Sequence, residues 1–129
     1  MHRTAINPHS WTVGLGFDQA ELIEGARRQL VVSGQDAVDA GGTPRHPGDM
    51  GAQLELALDN LEAIVAAAGM TLADVVRLNI YTTDIEALIT EHFPRINARF
   101  GDSRYATSVV GVAALPAQLL VMLEATAVD

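Results

Sequence analysis

The chain contains no cysteine, which excludes disulfides, thiolate nucleophiles and thiolate metal sites together. That usage fits a reducing compartment, and a cytoplasmic location is the expectation. Lysine is absent as well, so all eight cationic side chains are arginines. A lysine Schiff base is thereby excluded, as is a phosphate loop of the GxxxxGK type followed by Ser or Thr. Aromatics make up only 5% of the residues, so the core must be built from Leu, Val, Ile and Ala. No run reaches the roughly 20 apolar residues that a membrane-spanning helix needs. The opening residues, MHRTAINPHSWTVG, have no apolar signal core. No membrane partner is expected.

Positive charge is scarce too: eight Arg stand against sixteen Asp and Glu, a formal net charge of −8. Nucleic-acid affinity rests largely on cations neutralising phosphates. Arg27–Arg28 is the only adjacent basic pair, so nucleic acid is not an expected partner. A length of 129 residues predicts one domain over 1–129, large enough for one core without staples. Nearly half the residues are hydrophobic, 49%. So apolar a small chain tends to carry surplus apolar surface, which points to self-association.

What is present reads in segments. Arg28–Val32 predicts a short strand ending at Ser33-Gly34-Gln35, followed by an exposed Gly/Pro-rich loop, DAVDAGGTPRHPGD. From Asp49 the period changes: Leu54, Ala57/Leu58, Leu61 and Ile64/Val65 recur at i, i+3/i+4, with polar residues between. This predicts an amphipathic helix, capped by Asp49 and stopped at Gly69. In Val75–Thr82, Val76, Leu78 and Ile80 alternate with Arg77, Asn79 and Tyr81, the period of a half-buried strand. Thr83 and Glu86 have capping-box spacing and predict a second helix, kinked or broken at Pro94. Tyr105–Val112 and Leu119–Val128 predict two strands, antiparallel neighbours joined through Leu115-Pro116-Ala117. The element order predicts an α+β fold with two helices on one face of a mixed sheet.

Several of these segments, taken in order, resemble the Rid (reactive intermediate deaminase, YjgF-type) family. They are Ser33-Gly34-Gln35, Leu58-Asp59-Asn60-Leu61-Glu62-Ala63-Ile64, Ala67-Ala68-Gly69 and Asp74-Val75-Val76-Arg77. Tyr81-Thr82-Thr83-Asp84, Val112-Ala113-Ala114-Leu115-Pro116 and Leu123-Glu124-Ala125 complete the set. The resemblance implies a chorismate-mutase-like fold, a homotrimer with clefts between subunits, and a small-molecule ligand. It also implies hydrolysis of a carboxylate-bearing imine or enamine to a ketone and ammonia.

The family's site pattern departs here at named positions. The resemblance places the substrate-binding arginine at position 107, which holds Thr107, and an acidic residue at position 122, which holds Met122. Val109 stands where a small thiol or similar residue lines the pocket, and Phe17 where the pattern has tyrosine. A guanidinium clamps a carboxylate through two hydrogen bonds, whereas a threonine offers one hydroxyl. The standard 2-imino acid is therefore not the expected substrate.

The candidate ligand-binding set is Phe17, Ser33, Gly34, Gln35, Thr107, Val109 and Met122, with Ser33-Gly34-Gln35 contributing mainly backbone groups. Arg104, His92 and Thr107 are the catalytic candidates. Arg104 either swings into the cleft or stays on the surface. His92 is either an acid or base near neutral pH or a half-buried residue of the helix stripe. His2, His9, His46 and His92 lack ligand spacing, so neither a metal nor a cofactor is expected. Gly14-x-Gly16 is only a fragment of a dinucleotide fingerprint, and Ser33 lies outside a nucleophile elbow. Two readings of function stay open: an enzyme turning over a C=N or related bond, and a binding or scaffold protein that keeps the cleft without the chemistry.

Overall fold

The computed structural model describes residues 1–129. Helix α1, Met50–Ala67, begins where the Asp49 carboxylate accepts a hydrogen bond from the Ala52 N–H at 3.0 Å. Its apolar stripe, including Leu54, Leu58, Leu61 and Val65, is fully buried against a four-stranded sheet. The strands are β3 (Gln29–Gln35), β4 (Val75–Thr82), β5 (Ala106–Gly111) and β6 (Val121–Val128), in the order β3-β6-β4-β5. β4 pairs antiparallel with β6 and parallel with β5. The sheet face toward the helices carries Leu78, Ile80, Leu123 and Ala125, and it closes one aliphatic core. Burying a side chain of this kind contributes roughly 1.5–3 kcal/mol.

Three expectations are corrected. β3 does not end before Ser33; it runs through Gln35, with a bulge between Val32 and Gln35 that absorbs Ser33 and Gly34. β5 and β6 are not neighbours, because β4 lies between them. A short link favours local pairing, but Leu78, Ile80 and Tyr81 offer β5 and β6 a common central partner. Thr83 is not the cap of the second helix: Asp84 is, its carboxylate accepting from the Ala87 N–H at 3.1 Å. Where a kink or break is expected at Pro94, the structure has a wider turn just before it. Helix α2 (Ile85–Ala87) passes through a π-turn at Leu88–His92 into α3 (Phe93–Phe100). A π-turn relieves the ring's clash with the preceding carbonyl.

No sequence signal predicts the N-terminal hairpin. β1 (His2–Ile6) and β2 (Ala20–Glu24) form a separate antiparallel pair. Arg3 docks it: its guanidinium reaches Glu21 at 2.9 Å, the Ala73 carbonyl at 2.7 Å and the Val75 carbonyl at 3.0 Å, and also donates to the Arg104 carbonyl. Arg99 joins α3 to α1 through Glu55, Asp59 and Glu62 at 2.8, 2.8 and 3.2 Å.

Gln53 is the buried polar residue on which the packing of α1 turns. Its amide donates to the His46 carbonyl at 2.9 Å and accepts from the Leu120 N–H at 2.7 Å. Gln53→Leu keeps volume but strands both backbone groups, so stability should fall by roughly 2–4 kcal/mol. Urea unfolding checks this, and a loss below that range would show that water replaces the amide.

Candidate functional site

The hairpin's connection forms one wall of a cavity. Ser10–Leu15 is a 3-10 turn ended by Gly16 in the left-handed region, φ +100°. A Cβ at Gly16 would stand 2.3 Å from Asn97 Oδ1, so both conformation and space require glycine there. Asn97 donates to the Leu15 carbonyl at 3.2 Å. Asn7 braces the same connection, donating to Asp18 at 2.7 Å and accepting from the Gln19 N–H at 2.7 Å. Asp18 then bridges to Ala106, and its N–H donates to the Tyr105 carbonyl at 3.0 Å. Phe17 is thereby laid along the start of β5.

The cavity has a volume of about 380 Å³, within the usual size of a small-molecule site. Gly14, Leu15 and Phe17 line it from the connection, and Val109 from β5. Ile89, Phe93, Pro94 and Asn97 line it from the π-turn and α3. Ile89, Phe93 and Asn97 follow an i, i+4, i+8 row and so share one side of the helix. None of the eight arginines, and no acidic residue or histidine, is in the lining. Asn97 is its one side chain with hydrogen-bonding capacity.

The seven predicted ligand-binding residues fall into two groups. Phe17 and Val109 meet in the cavity. Thr107 lies two residues before Val109 on the same face of β5, its hydroxyl donating to the Leu78 carbonyl at 2.6 Å. Ser33, Gly34 and Gln35 lie on β3 at the opposite edge of the sheet. Met122 joins this second group, since a Cβ on Gly34 would meet its sulfur at 2.5 Å. Three strand spacings separate the edges, about 14 Å. Within one chain the two groups do not meet.

His92 and Arg104 belong to neither group. His92 sits one residue out of the cavity row, about 100° around the helix, and lines a separate depression with Asp49, Asp84 and Glu91. Its Nε2 is 3.7 Å from the Glu91 carboxylate, and its buried Nδ1 has no partner. Arg104 precedes the fully buried Tyr105, which stacks on Phe100 with centroids 4.6 Å apart, and it does not reach the cavity lining. Sequence reasoning missed Leu15, Ile89, Phe93 and Asn97 as lining residues. The four-residue spacing of the last three was the available signal, hidden by Pro94.

The face of the sheet away from the helices carries its own polar group. Glu124 accepts from the Tyr81 hydroxyl, and from the Asn79 amide at 3.0 Å. These bonds, Tyr81's first, hold the Glu124 carboxyl below its ordinary range.

Comparison with known proteins supplies the family. A family model described as "Endoribonuclease L-PSP" matches residues 18–129. The chain belongs to the Rid (YjgF-type) family. Among its relatives, the 2-iminobutanoate/2-iminopropanoate deaminase of Escherichia coli is 34% identical, over 96% of this chain and 89% of that one. Protein DfrA of Myxococcus xanthus is 33% identical, over 100% and 98%. Among solved structures, the Rid-family protein YyfB of Yersinia pestis superposes with a TM-score of 0.89 at 36% identity, covering all of both chains. A YjgF/YER057c/UK114-family member from Mycobacterium tuberculosis gives 0.69 at 35% identity, over 99% of this chain and 100% of that one. The α+β Rid fold read from the sequence is thus shown. Gly14, Leu15 and Phe17 precede the stretch matched by the family model.

A pH dependence follows from Glu124. Its folded pKa is lowered, so the stability it contributes is complete above the unfolded carboxylate pKa and is lost as pH falls through the folded one. Tyr81→Phe should therefore be less stable than the parent at pH 7, with the gap narrowing as the medium is acidified below the carboxylate range. Urea midpoints at pH 7 and pH 3 measure it; an equal gap at both would contradict this origin.

Proposed function

We propose that this Rid-family chain takes a small molecule into the Phe17–Val109 cavity and hydrolyses an imine or enamine there, with water adding to C=N and ammonia leaving the resulting ketone or aldehyde. The observation that carries the reading is the pairing of a ligand-sized cavity, about 380 Å³, with a fold shared with a 2-iminobutanoate/2-iminopropanoate deaminase. Imine hydrolysis asks little of acid–base groups, because the bond is already electrophilic. Holding substrate and water together supplies much of the acceleration.

The chemistry has a second half on the other edge of the sheet. In a homotrimer the β5 edge of one chain stands beside the β3 edge of the next. The exposed Ser33-Gly34 bulge then offers backbone N–H groups to the ligand bound at Phe17 and Val109. Such donors polarise a C=N or carbonyl group without a side-chain charge. Thr107 and Met122 supply neither the cation nor the acid of the family pattern, so 2-imino acids are poor substrates. An unpaired carboxylate is costly to desolvate.

A second reading, binding without turnover, is favoured by the lack of any titratable side chain in the cavity lining. The formal charge of −8 and the absence of lysine speak against RNA as the substrate, despite the description of the family model.

Purified protein, established as a trimer by light scattering, should accelerate ammonia release from carboxylate-free imines generated in situ by an amine oxidase. With 2-iminopropanoate it should differ little from buffer. Acceleration of neither class would leave binding as the function, and a monomer at all concentrations would remove the shared cleft.

A further inference from the structure

The geometry points to a ligand that is electrically neutral and carries a flat apolar group, received by Trp11 together with Phe17. This rests on the cavity being the ligand site, though not on turnover there. Trp11 stands edge-on to Phe17, with ring centroids 6.5 Å apart and planes at 86°, and is 64% exposed. Leu15 and Ile89, which line the cavity, are 50% and 52% exposed. The mouth is therefore rimmed by large apolar side chains facing solvent, an arrangement that marks a binding surface when the residues are contiguous.

The rim is held rigidly. Asn97 fixes the Leu15 carbonyl, Asn7 and Gln19 fix the chain around Pro8 and His9, and Gly16 fits tightly against Asn97. Trp11 is thus presented on a braced turn, so little ordering entropy opposes binding.

Charge selects the ligand further. The lining contains no arginine or histidine to pair an anion and no carboxylate to pair a cation. Entry of a charged group would strip its water without return. Within this chain's lining a single side-chain amide, Asn97, answers one polar group on the ligand, and the other side chains are aliphatic or aromatic. Ring-on-edge contact with Trp11 and Phe17 favours a planar substituent over a branched one.

Trp11 is the sole tryptophan, so its indole N–H gives one NMR signal that reports on the mouth. Benzamide and benzoate, matched in shape and different in charge, serve as probes at pH 7.5. Benzamide should shift the indole signal saturably, and benzoate should bind at least about tenfold more weakly, from the cost of desolvating an unpaired carboxylate. Ligand-observed NMR with Trp11→Ala, a change at an exposed position, should show benzamide affinity reduced about 2- to 10-fold, the worth of one aromatic contact. Phe17→Leu should weaken benzamide in the same direction.

Benzoate binding as tightly as benzamide, or benzamide binding that Trp11→Ala leaves untouched, would overturn the inference. So would a cavity that takes neither probe, as when a neighbouring copy fills it. Benzamide binding without turnover of any imine would remove only the catalytic reading and support this one. Turnover of carboxylate-free imines with no preference for benzamide would remove this one alone.

Discussion

The hydroxyl of Thr107 already has a use: it donates to the carbonyl of Leu78 at 2.6 Å. The Rid pattern implies an arginine at this position, and an arginine there would project a permanent charge beyond the strand edge. Threonine instead turns back onto its own sheet. A β-branched residue suits a strand, and its one donor is spent inside the fold. The wall that continues past it through Val109, Phe17 and Phe93 is apolar. The proposed preference for an uncharged ligand follows from the absence of a cation, because a pocket without one cannot offset the desolvation of an acid.

Topology imposes the second constraint. The order β3-β6-β4-β5 sends Ser33-Gly34-Gln35 and Thr107-x-Val109 to opposite edges. The two halves of the expected ligand set therefore do not meet within one chain, and the proposed cleft requires a second copy. The hairpin's connection adds what the sheet cannot, a wall made of Gly14, Leu15 and Phe17, with Trp11 edge-on to Phe17 beside it. Arg3 carries much of that docking, spanning Glu21 and three backbone carbonyls. The Glu21 side chain is only 5% exposed, and this burial pushes its carboxyl up in spite of its partner.

How far the sequence reveals this depends on the range of each interaction. β4 is read to its last residue because Val76, Leu78 and Ile80 alternate strictly with polar neighbours, and α1 because its stripe and its Asp49 cap agree. Both signals are local. The β1–β2 hairpin is invisible because His2–Ile6 has no clean alternation and its partner lies beyond a long connection. The placement of β4 between β5 and β6 is invisible for a similar reason: pairing partners are chosen by the shared core, not by the short link. Phe17 and Val109, singled out by resemblance, both line the cavity, whereas Asn97, also in the lining, has no sequence signal because Pro94 makes the helix look broken. The π-turn restores the row Ile89, Phe93, Asn97 across that proline. His92 lies one residue off that row and lines a separate depression, since one residue's displacement turns a helical side chain by about 100°.

One substitution restores the cation at position 107. Thr107→Arg would place a guanidinium beside Phe17 and Val109, on the strand position where the family pattern expects it. Steady-state hydrolysis of 2-iminopropanoate, measured for parent and variant, should rise well above buffer only in the variant, by tenfold or more if a bidentate clamp forms, on the order of 1.4 kcal/mol. A parent enzyme already as fast as the variant would contradict the account, since a carboxylate would then be held without the charge at position 107.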